Sequence, residues 1–163
     1  MEIQELVKKQ RAFYATGATR PVAFRLEALA RLEAEIKNRE SELFAAFRED
    51  LNKAPSESYM TETGMTLSEI SFMKKHLIRY ARPKRHLTPL AQFHAKSFSI
   101  MEPYGVTLIM SPWNYPFMLC MEPLVGAIAA GNCCVLKPSA YAPATSAAIR
   151  RLIEAVFSPE YVA

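Results

Sequence analysis

Along the first half of the chain, apolar residues recur about every 3.6 positions, the period of an amphipathic helix. Ile3, Leu6, Val7, Phe13 and Tyr14 form one such stripe. Thr16-Gly17-Ala18-Thr19 interrupts it, and Pro21 stands where a first helical turn accepts proline. Val22, Leu26, Leu29, Leu32 and Ile36 form the next stripe, with Arg25, Glu27, Arg31, Glu33, Glu35 and Lys37 on its polar side. Asn38 either ends this helix or is passed over, because Leu43, Phe44, Phe47 and Leu51 carry the period onward. Asn52-Lys53-Ala54-Pro55-Ser56 has the composition of a loop. A third helix is predicted from about Glu57 to Tyr80 on Tyr59, Met60, Leu67, Ile70, Met73 and Leu77. Gly64 is its candidate kink, and Pro83 closes the helical section.

The pattern then changes. Residues 81–95 show little period, and Ser97 to Met101 alternates polar and apolar, as a short exposed strand does. Pro103-Tyr104-Gly105 reads as a turn. Val106 to Met110 is a continuous apolar run, which predicts a strand buried on both faces of a parallel sheet. Ser111-Pro112-Trp113-Asn114 connects it to an apolar helix running from Pro116 to Ala130, with Asn114 as N-cap and Gly131 as C-terminal cap. Cys133 to Leu136 is a second buried strand. Strand, helix, strand makes a crossover, and its usual right hand makes the strands parallel. Another helix spans about Pro143 to Phe157, and Ser158-Pro159 stops it. Tyr161-Val162-Ala163 reads as the first residues of a third strand, so the C-terminus is expected to be a cut.

Composition narrows the class. The chain has 163 residues, 50% hydrophobic and 22% charged, which suits a packed globular domain and excludes disordered, collagenous and disulfide-scaffold classes. No apolar run reaches the ~18–20 residues that span a bilayer. Glu2, Glu5, Lys8 and Lys9 stand where a signal peptide needs an apolar core. A net charge of +4 is mild. The basic cluster Arg79, Arg82, Lys84, Arg85 and His86 has only Tyr80 interleaved, so it reads as a solvated stretch and no nucleic-acid partner is expected. Cys120, Cys133 and Cys134 all lie in apolar runs, as core thiols of a reduced, cytoplasmic protein do. His76, His86 and His94 stand apart, and no metal site is expected. With five glycines there is no G-x-G-x-x-G and no P-loop.

Two places carry candidate chemistry. The first is the strand-to-helix turn at residues 110–117, because ligands of open α/β sheets bind at the carboxyl ends of the strands. Asn114 offers a side-chain amide there, either as a donor to a developing oxyanion or as a cap of its own helix. The second is Lys137 at the end of the next strand, which either holds a ribose or phosphate or is a solvated lysine. Ser139 is a candidate N-cap for the following helix.

The stretch from Glu102 to Ser139, EPYGVTLIMSPWNYPFMLCMEPLVGAIAAGNCCVLKPS, closely resembles the aldehyde dehydrogenase superfamily. The blocks EPYGV, SPWNYP, GAIAAGN and VLKPS follow in the family's order and spacing, most like its class 3 or fatty-aldehyde-type branch. The resemblance implies an α/β fold whose N-terminal helices, 1–87, belong to a cofactor-binding domain. Residues 88–105 would form a strand arm used in oligomerisation, and 106–163 part of a Rossmann-like parallel sheet. It implies oxidation of an aldehyde with NAD or NADP through a thiohemiacetal on a cysteine, in a homodimer. Asn114 would donate to the oxyanion. Ser111, Pro112 and Trp113 would line the cofactor cleft, with Lys137 on the adenosine ribose and Ser139 beside it, while Tyr115 and Met118 would face the substrate. The family's glutamate after K-P-S is here Ala140, which removes a carboxylate that would repel a 2′-phosphate. The family's nucleophilic cysteine, general-base glutamate and glycine-rich loop lie beyond residue 163. The chain alone is therefore expected to be inactive, acting, if at all, by pairing with another chain.

Overall fold

The computed structural model describes residues 2–163. Its N-terminal layer is helical: α1 is Ile3–Ala15, α2 Val22–Asn38 and α3 Glu40–Leu51. Arg39, at φ −100° and ψ 14°, leaves helical geometry and separates α2 from α3, so α2 does end at Asn38. Leu29, Leu32 and Ile36 of α2 and Leu43 and Phe47 of α3 are fully buried, as their spacing predicts.

The third helical stretch is composite. A short α4, Pro55–Ser58, runs into a π-helical turn, Tyr59–Thr63, and then into α5, Gly64–Tyr80. Gly64 thus marks a π turn. A Cβ at Gly64 would stand 2.6 Å from the Tyr59 carbonyl oxygen, so only glycine fits where the turn widens. The extra residue rotates the side chains of this turn relative to those that follow.

Within residues 81–95 the structure places a strand that the pattern did not announce. β1, Lys84–His86, pairs antiparallel with β2, Ser97–Ser99. All of β1 is exposed, so no apolar alternation marks it. β2 is shorter than the predicted run to Met101.

The β-α-β unit forms as expected. β3, Val106–Met110, and β4, Cys133–Lys137, are parallel, in register from Val106 opposite Cys133 to Met110 opposite Lys137. α6, Met118–Ala130, crosses between them and ends at Gly131, whose φ of +94° suits the left-handed cap. A parallel bridge joins Cys134 to Val162, so the last residues do begin a third strand beside β4. α7, Pro143–Val156, packs Ile149 and Leu152 into the common core. α1 meets the sheet through Gln10, whose buried amide donates to the Cys134 carbonyl at 2.8 Å.

β3 is not buried on both faces. Ile109 is inside, but Leu108 is 61% and Met110 68% exposed. The run was apolar for a face that carries no helix over these two residues among the described residues. No helix of the described residues is long and apolar enough to cross a membrane.

Candidate functional site

The two parallel strands end side by side. The Ser111 amide donates to the Lys137 carbonyl at 3.2 Å, which extends the ladder by one bond and brings both candidate segments to one carboxyl edge. Pro112, Trp113, Asn114 and Tyr115 stand exposed on this edge, as does the Lys137 side chain; Ser111 and Met118 are half-buried. Ser139 is turned inward: its hydroxyl accepts from the Tyr141 amide at 3.2 Å and its carbonyl from Ser146 Oγ at 2.8 Å.

Neither expected cap is used. α6 begins at Met118 after Phe117, and α7 begins at Pro143 after Ala142, so neither Asn114 nor Ser139 holds its helix. Remote carboxylates take that role. Glu62 Oε2 accepts from the backbone amides of Phe117, at 3.2 Å, and Met118, at 2.9 Å. Asp50 accepts from Ala144, at 3.1 Å, and from Thr145, at 2.7 Å. The reason is position and charge. Both helix starts abut the N-terminal helical layer, and a carboxylate answers the free amides and the positive end of the helix dipole together, typically ~1 kcal/mol or more per cap.

Glu62 is fully buried, and so is most of its counter-ion: Lys53 Nζ lies 2.5 Å from Glu62 Oε1, with the lysine side chain 7% exposed. The same ammonium stands 4.3 Å from the centre of the Tyr115 ring. Lys53, Glu62 and Asp50 were missed by sequence reasoning. Their partners lie far along the chain, and capping signals read from sequence are local. The only trace was a charged residue inside the helical run at 59–63.

Glu62 leaves Asn114 free. Among the described residues the Asn114 side chain makes no hydrogen bond, and the residue is exposed at this edge. The cysteines offer no nucleophile. Burial pushes the thiols of Cys120 and Cys133 up to about 11 and that of Cys134 up to about 12, so all stay protonated at neutral pH. The edge therefore holds donors and a cation, for an anionic or polyhydroxy ligand, but no reacting thiolate.

Residues 1–163 match the family described as "Aldehyde dehydrogenase family". The 4,4′-diaponeurosporen-aldehyde dehydrogenase of Staphylococcus aureus is 42% identical over 160 residues, 98% of this chain and 35% of that protein. The "Aldehyde dehydrogenase, dimeric NADP-preferring" of Canis lupus familiaris is 41% identical over 139 residues, 85% of this chain and 30% of that protein. A solved structure, "Substrate bound state of Staphylococcus Aureus AldH", superposes with a TM-score of 0.96 at 41% identity, covering 99% of this chain and 35% of that one. The chain thus spans about a third of the length of the relatives it matches. With the matched fold, and a family match that runs from the first residue to the last, the chain belongs to the aldehyde dehydrogenase family.

Proposed function

We propose that this chain supplies the oxyanion-donor and adenosine-side half of an NAD(P)-dependent aldehyde dehydrogenase. The observation that carries the reading is the unspent Asn114 amide. Its helix is capped from Glu62 instead, so the side chain is available to donate to the oxygen of an aldehyde as a thiolate adds to it. The nicotinamide would accept the hydride, and the thiolate and general base would come from chain beyond residue 163. Tyr115 and Met118, on either side of Pro116-Phe117, would face the aldehyde.

The residues present fit a dinucleotide held without a glycine fingerprint. The starts of α6 and α7 are filled by Glu62 and Asp50, so neither serves a pyrophosphate. The exposed Lys137, bonded through its backbone to Ser111, supplies a cation beside Pro112 and Trp113. Lys137 would hold ribose hydroxyls, with the buried Ser139 shaping the backbone behind it. Ala140 leaves room for a 2′-phosphate, in line with the canine relative described as NADP-preferring.

Isothermal titration of the chain with NAD+ and NADP+ tests this. The expected dissociation constants are about millimolar, and Lys137→Ala should weaken binding roughly tenfold, the scale of one hydrogen bond from a charged donor. NADP+ should bind at least as well as NAD+. Nanomolar affinity, a clear NAD+ preference, or indifference to Lys137→Ala would each count against the assignment.

A second reading is that the chain pairs with another chain, a second copy in a homodimer above all. The arm favours it: Leu87 and Tyr104 are 98% exposed and Leu90 is 87% exposed, apolar surface of the kind another chain covers. Elution as a clean monomer in size-exclusion chromatography would remove this reading. A cytoplasmic location fits the protonated, unbridged cysteines.

A further inference from the structure

We propose that Glu62 and Lys53 are positioning residues for the turn at 111–117, setting where the Asn114 amide stands. The proposal deepens the reading of Asn114 given above and rests on it. Asn114 has no internal bond to hold it, so its position is that of its backbone. That backbone is fixed on both sides. Before it, the Ser111 amide is tied to the Lys137 carbonyl at 3.2 Å. After it, Glu62 grips the amides of Phe117 and Met118, and Lys53 lies against the Tyr115 ring, next in sequence to Asn114.

Lys53 and Glu62 act as one unit. The ammonium bonds one carboxylate oxygen while the other oxygen takes both amides. Each group answers the other's buried charge, and each also touches the turn. Helix capping alone would call for the carboxylate; it does not call for a cation over Tyr115. The π turn at Tyr59–Thr63 gives Glu62 its aim. One residue more or less in a helix swings a side chain by about 100°, so a regular α-helix through Gly64 would point this carboxylate elsewhere. π turns of this kind recur at functional sites.

The test uses Trp113, the single tryptophan of the chain, which lies in the turn and is itself 55% exposed. Time-resolved fluorescence anisotropy of Trp113 is compared in the parent, in Lys53→Met/Glu62→Gln and in Glu62→Asp, with far-ultraviolet circular dichroism as the measure of global fold. The double variant removes both buried charges together, so the fold is kept. The shortened carboxylate of the second keeps the charge but loses its reach. In both, the fraction of turn in mobile conformations should rise about fivefold, the size expected when a charged cap is shortened or exchanged for a neutral amide oxygen, while the helical signal is unchanged. Unaltered Trp113 motion in the folded variants overturns the proposal. So does motion that rises only in step with lost helical signal in both. If instead Asn114→Ala leaves aldehyde turnover intact in the longer enzyme, the reading of Asn114 fails whatever Trp113 does. If Trp113 stays ordered, only the positioning role fails.

Discussion

Asn114→Ala, in a protein that continues this chain to the relatives' full length, is expected to lower kcat for aldehyde oxidation about 10²–10³-fold, the cost of removing one oxyanion donor. Two amides at the head of α6 needed an acceptor, and Glu62 provides it from another element. Asn114 is thereby left exposed and unbonded at the carboxyl edge of the sheet. As an oxyanion donor Asn114 would act on charge that develops only during reaction, so the loss should fall on kcat, with KM for the cofactor little changed. Asn114→Asp should be at least as damaging, because a carboxylate repels an oxyanion. Steady-state kinetics of both variants decide it; a kcat close to that of the parent would exclude the donor role.

Phe117→Ala is expected to lower stability by ~3–5 kcal/mol, among the largest losses for any single change near the site. Phe117 is fully buried at the point where the turn enters α6, and its ring centre lies 5.7 Å from that of Phe47 on α3. Deleting the ring leaves a cavity between the helical layer and the crossover helix, bounded by well-packed neighbours that relax only in part. In a chain of this size the midpoint of thermal unfolding should fall by about 10 °C, from ~2–4 °C per kcal/mol. Trp113→Ala, in the same turn but exposed, should leave the midpoint nearly unmoved. Equal shifts for the two would mean that the turn is not anchored through Phe117.

Much of the fold was legible in the sequence, for local reasons. The stripes of α2 and α3 are periodic, and Leu29, Leu32, Ile36, Leu43 and Phe47 of them are buried; the stripe of α1 is only half-buried, with Ile3 72% exposed and the polar Gln10 as its one buried residue. Gly131 announced a left-handed cap and adopts one, at φ +94°. The parallel pairing followed from strand, helix, strand, and the beginning of a third strand at Val162 followed from the apolar residues after Ser158-Pro159. What escaped is non-local. Asn114 and Ser139 looked like caps because capping is read a few residues at a time. The acceptors that do the work, Glu62 and Asp50, come from helices packed against α6 and α7, and no spacing rule reaches them. β1 escaped because an exposed strand of Lys84, Arg85 and His86 has no apolar face to alternate. Leu108 and Met110 show the converse: an apolar run stated that a surface is to be covered, without stating by what.

The candidate site divides in the same way. The residue types at the carboxyl edge, and the family they resemble, could be read from Ser111 to Ser139. That Asn114 is unspent, that Lys137 lies across a ladder bond from Ser111, and that a buried Lys53–Glu62 pair underlies the turn could only be seen once the layers were packed.

We propose that this chain carries the donor and adenosine-side half of an aldehyde dehydrogenase, with the thiolate supplied from outside residues 1–163. The most direct test is aldehyde-dependent reduction of NAD(P)+ by the protein isolated from its source with an antibody to this chain, with intact mass measured on the same sample. Turnover by a species well above 18.4 kDa, abolished by a thiol-alkylating reagent, is the predicted result. Turnover by a species of 18.4 kDa would contradict this proposal, because Cys120, Cys133 and Cys134 are buried and burial holds their thiols protonated.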